Sequence, residues 1–89
     1  MRSRVVFKYP IPDWGKVILL SDEDNVVHVG EQDGVVTLWV EHVLNVPQVG
    51  RIFEVMVTGE QFAYPVASHV GSVQMPTGLV WHVYYVGDA

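Results

Sequence analysis

The chain has 89 residues, room for one domain spanning 1–89, and carries a formal net charge of −5. Five Lys and Arg residues cannot build the cationic footprint that a phosphate backbone demands, so direct nucleic-acid binding is not expected. Without cysteine there is neither a disulfide framework nor a thiolate metal site.

Hydrophobic residues make up 49% of the chain, and about a fifth of all residues are Val. β-branched side chains lose χ1 freedom in a helix and pack well on a pleated surface, so this composition favours strands. The basic start Met1-Arg2-Ser3-Arg4 leads into a strand expected at 4–9. No apolar signal-peptide core follows, because Lys8, Pro10, Pro12 and Asp13 interrupt it. No window holds the 18 or more apolar residues of a membrane span, so no membrane partner is expected.

Pro10-Ile11-Pro12-Asp13 then marks a turn that carries Trp14 ahead of a second strand at 16–20. Asp22-Glu23-Asp24 lies in the next loop. It lacks the glycine and downstream bidentate Glu of a calcium loop and reads as a solvated turn. Strands at 26–32 and 35–43 are joined through Asp33-Gly34, a pair suited to the positive φ angles of a type I′ hairpin. In the second of these, Val36, Leu38 and Val40 form one row, opposed by Val35, Thr37, Trp39 and Glu41. After Asn45-Val46-Pro47 comes a strand at 51–57, with Phe53, Val55 and Val57 opposing Ile52, Glu54 and Met56. Gly59 and Pro65 leave space for at most one short helical turn near 60–66. The last two strands, 69–75 and 79–86, meet at Met75-Pro76-Thr77-Gly78.

Turn signals about every ten residues and no sustained helical period define the expected fold. It is all-β, a small antiparallel β-sandwich or partly open barrel of six to seven short strands. The closing strand differs from the others because both of its rows are apolar. Leu79, Trp81, Val83 and Tyr85 lie on one face, with Val80, His82, Tyr84 and Val86 on the other. Such a strand is either central and covered twice, or offers its second face to another subunit. The second alternative makes Val80, His82, Tyr84 and Val86 a candidate homo-oligomer interface.

Chemistry-bearing motifs are sparse. His28, His42, His69 and His82 fall on four different strands with no pairing at metal-ligand spacing, so no metal or cofactor is expected. None of the four serines sits in a G-x-S-x-G elbow, and no phosphate-cradling glycine motif occurs, so the chain does not read as an enzyme. Asp13 and Glu60 could in principle meet as an acid and base. Trp39 and Trp81 are expected in the core. Trp14, Phe62 and Tyr64 fall in loops, where they either cap the open ends of the sandwich or form a binding surface.

Several short stretches together carry a resemblance. They are Phe7-Lys8-Tyr9-Pro10, Thr37-Leu38-Trp39-Val40, Thr58-Gly59, His69-Val70-Gly71-Ser72-Val73 and Val80-Trp81-His82-Val83-Tyr84. In this order the chain resembles a family of small proteins of unknown function encoded by tailed phages and prophages. Its members begin with Lys-Tyr-Pro, carry Leu-Trp in mid-chain and close on an aromatic-His-Val-aromatic strand. The chain departs from the pattern at Val57-Thr58-Gly59, where the family has Gly-Thr-Gly. The resemblance implies a phage accessory protein acting in the host bacterial cytoplasm and brings no catalytic or binding residues with it. Within that frame the first expectation is a homo-oligomeric, non-enzymatic protein that binds a host or phage partner. The alternatives are a sequestering protein for a small defence nucleotide, using Arg2, Arg4, Lys8 and Arg51, and a minor structural component of the virion.

Overall fold

A computed structural model describes residues 2–89. Seven antiparallel strands form in chain order: β1 Arg4–Pro10, β2 Lys16–Leu20, β3 Asn25–Gln32, β4 Val35–Val43, β5 Val49–Val57, β6 Ser68–Gln74 and β7 Val80–Asp88. They make a three-stranded sheet in the order β1-β4-β3 and a four-stranded sheet in the order β2-β5-β7-β6. The sheets stack as a small sandwich and do not close into a barrel.

The turns follow the chemistry of their residues. Asp33 and Gly34 both have positive φ, 54° and 81°, as a two-residue type I′ connection between β3 and β4 requires. Gly78, at φ 92°, closes the β6–β7 turn by donating its N–H to the Met75 carbonyl.

The core lies between the sheets. Val36, Leu38 and Val40 of β4 meet Ile18 and Leu20 of β2, Phe53 and Val55 of β5, and Val83 of β7, sealed at one end by Ile11 and Met75. Tyr9, Val26, Val29, Val70, Val73, Trp81 and Tyr85 pack around them. Trp81 joins the core as expected. Trp39 does not; it belongs to the outer row of β4 and lies against the His28 ring at 5.1 Å.

The two long edges of the sandwich are unlike. β3 runs along β6, and Gly71 allows the approach: a Cβ there would stand 2.5 Å from Val29 Cγ2. On the opposite side β1 and β2 leave a groove of about 380 Å³, with Phe7, Tyr9, His42 and Leu44 among its walls.

Strands β5 and β6 are parallel, with β7 between them, so residues 58–67 must cross the sheet's full length. A helix advances about 1.5 Å per residue and a strand about 3.3 Å, so a connection this short has to run extended. It contains no helical turn. Phe62 of this crossover stacks on Tyr84 of β7 at 4.8 Å. β7 is therefore central, with the core on one face and the chain's own crossover against Tyr84 on the other.

Candidate functional site

Three connections converge at one end of the sandwich: the β1–β2 loop, the β3–β4 hairpin and the β6–β7 turn. Pro12-Asp13-Trp14-Gly15 is a tight turn closed by Gly15 N–H donating to the Pro12 carbonyl at 2.9 Å. Gly15 has φ 87°, a backbone conformation in which any side chain is strained and glycine is not. This turn lifts Trp14 off the surface, leaving it 82% exposed. Beneath lies a groove of about 700 Å³ floored by Ile11, Val36 and Met75, with Val35, Leu79 and Trp81 along its sides. Asp13 is the one charged residue in its lining.

Of the three loop aromatics expected to form one surface, only Trp14 lines this groove. Phe62 and Tyr64 stack on each other at 6.3 Å, and Phe62 continues onto Tyr84. The period-two row Val80, His82, Tyr84, Val86 breaks at its last member. Val86 is the extra residue of a β-bulge opposite Ile52 and Phe53, and it is buried. Met56, paired with His82, is also buried on that outer side.

The histidines sort into three environments. His28 stacks on Trp39. His69 and His82 converge on one hydroxyl, with His69 Nε2 at 2.9 Å and His82 Nδ1 at 2.7 Å from Ser72 Oγ. Thr58 Oγ1 donates to the Val80 carbonyl and accepts from His82 Nε2–H at 2.8 Å. Ser72 O–H then donates to His82 Nδ1 and accepts from His69 Nε2–H, so the chain of bonds runs in one direction. Among the described residues, no group of three or more His, Cys, Asp or Glu side chains is placed to hold a metal.

His42 is different. It is 4% exposed and links Tyr9 Oη, 2.7 Å from Nε2, to Asp24 Oδ2, 2.8 Å from Nδ1. In the neutral imidazole Nδ1–H donates to the carboxylate, and Nε2 accepts the Tyr9 proton. The Asp24 side chain has no accessible surface. It accepts further bonds from Ser21 N–H, Ser21 O–H and Val43 N–H. The reading of Asp22-Glu23-Asp24 as a uniformly solvated turn therefore fails at Asp24, which these donors draw inward. Burial by itself would raise the Asp24 pKa. The bonds from Val43 and Ser21 N–H, with His42 and the Ser21 hydroxyl, outweigh it and hold the carboxyl down at about 2. The Tyr9 phenol is shifted upward, first by burial and then by the Asp24 charge, so it stays protonated and is not an activated nucleophile. This cluster is a fastener that ties the 21–24 loop to the end of β4.

Arg2, Arg4, Lys8 and Arg51 each have a polar partner. Arg2 meets Glu23, Arg4 meets Glu41, Arg51 meets Asp22, and Lys8 donates to Gln32 Oε1. Asp13 lines the end groove while Glu60 accepts from Val57 N–H, so that carboxylate pair has separate tasks.

Fold and site together define an all-β sandwich with an apolar groove at one end. The chain belongs to a family described as a domain of unknown function, DUF7352, whose model matches residues 2–89. No curated protein and no solved structure matches the chain.

Proposed function

We propose that the protein is a non-enzymatic binding module that seats an apolar, positively charged segment of a partner protein in its end groove. Trp14 carries the reading: a largely exposed indole on a hydrogen-bonded turn above an apolar floor. Large aromatic side chains presented this way are typical anchors of protein contacts, since little conformational freedom is lost on binding. Asp13 in the lining, with Asp33 on the adjoining hairpin, favours Lys or Arg beside the apolar anchor. The resemblance to a tailed-phage family supports a setting in the cytoplasm of an infected bacterium, with a host or phage protein as partner.

The test is a photo-crosslinking amino acid at position 14, expressed in host cells. One discrete protein adduct is expected, and it should disappear when Leu79→Asp is added at the groove wall. Absence of any protein adduct, or an adduct indifferent to Leu79→Asp, would overturn the reading.

A further inference from the structure

The sandwich has four sheet edges, and three of them carry features that discourage further pairing. β1 bears Arg4 and Lys8 and ends on Pro10, which has no N–H to offer. β3 is bulged at Val27, β6 is bulged at Val70, and the two run along each other. β2 carries a single charge, Lys16 at its start, and no bulge. Its sequence Lys16-Val17-Ile18-Leu19-Leu20 contains no proline, and its register with β5 is unbroken. Among the described residues, no backbone hydrogen bond joins β2 to anything but β5. Val17 and Leu19, on the side turned away from the core, are 52% and 58% exposed. A largely apolar edge without bulge or proline in a small domain is a template for another strand.

From this we infer that β2 pairs antiparallel with β2 of a second copy of the chain, making one continuous eight-stranded sheet across a two-fold axis. The charge pattern of the strand selects that occupant. Lys16 opens β2 and Asp22 follows its end, so antiparallel self-pairing sets each Lys16 against the Leu20–Asp22 corner of the other copy. Lys16 has no ion-pair partner among the described residues, and the Asp22 side chain is 95% exposed although it also meets Arg51. A two-fold contact has to be self-complementary, and a strand positive at one end and negative past the other satisfies that condition. The same axis brings the two β1–β2 grooves toward each other, so that the half-exposed Phe7 and Leu44 of each copy flank the joint. This dimer leaves the end groove free and does not depend on the function proposed for it.

Sedimentation of the full chain over a concentration series tests the inference. The wild type is expected to be a dimer at tens of micromolar. Val17→Lys with Leu19→Lys should weaken it by about 100-fold or more while leaving the circular dichroism of the folded chain unchanged. Tyr84→Glu, on the outer face of β7, should leave the dimer intact. Hydrogen exchange on the wild type gives an independent reading, in which amide protection across 16–20 rises with concentration. A monomeric wild type, a dimer split by Tyr84→Glu but not by the double lysine variant, or concentration-independent exchange across 16–20 would each overturn it.

Discussion

His42 and His82 each sit in the middle of a hydrogen-bonded chain of side chains, one inside the sandwich and the other on the outside of the four-stranded sheet. The inner chain ends on Asp24, a carboxylate without accessible surface that accepts from four donors. The outer one links His82 to hydroxyls of Ser72 and Thr58, which can exchange these partners for water. Similar donor and acceptor groups thus do different work. A buried network is costly to break because every orphaned group stays desolvated, whereas a surface network is replaced by solvent.

Asp24→Ala should give the largest effect. It strands His42 Nδ1–H, Val43 N–H and the Ser21 donors, at a cost of about 3 kcal/mol. Thermal melting should register this as a drop of roughly 12–24 °C for a domain of this size. The pH dependence follows from the same group. A carboxyl held at about 2 when folded, against 3.8 unfolded, contributes stability that is fully present above about pH 5. That contribution, on the order of 2 kcal/mol, fades as pH falls from about 5 toward 2. Urea midpoints across this range should fall for the wild type and stay flatter for Asp24→Ala. Tyr9→Phe removes a single donor from the buried His42 and should cost about 1–2 kcal/mol in the same assay. His82→Ala removes a half-buried side chain whose hydroxyl partners can turn to water, and should cost less than about 1 kcal/mol. Equal losses for His82→Ala and Tyr9→Phe would break the contrast between the two networks.

Much of this architecture could be read from the order of residues. Period-two rows and turn chemistry locate all seven strands, with ends that move by one or two residues. Asp33-Gly34 announces its hairpin because few other pairs tolerate two successive positive φ angles. The inward row Val36, Leu38, Val40, continued by one step, reaches His42, and that extension was the available sign of a buried histidine. Its carboxylate partner had no comparable sign. Asp24 looks like its exposed neighbours Asp22 and Glu23 until the loop folds back on β4 and supplies the donors.

The closing strand shows the same division. Two apolar rows in Leu79–Val86 fit either a doubly covered strand or a subunit interface, and no local pattern separates them. The order β2-β5-β7-β6 makes β7 a central strand and β5 and β6 parallel, and it sends 58–67 across β7, with Phe62 on Tyr84. Trp14 was recognisable as a loop aromatic. Its separation from Phe62 and Tyr64 came from which loops share an end of the sandwich. The sequence by itself determined strand positions, turn types and inward rows, since these depend on neighbours a few residues apart. Sheet order, the burial of Asp24, the groove below Trp14 and the edge position of β2 were decided by the tertiary structure. Each of them depends on which distant segments meet, and local periodicity carries no record of that.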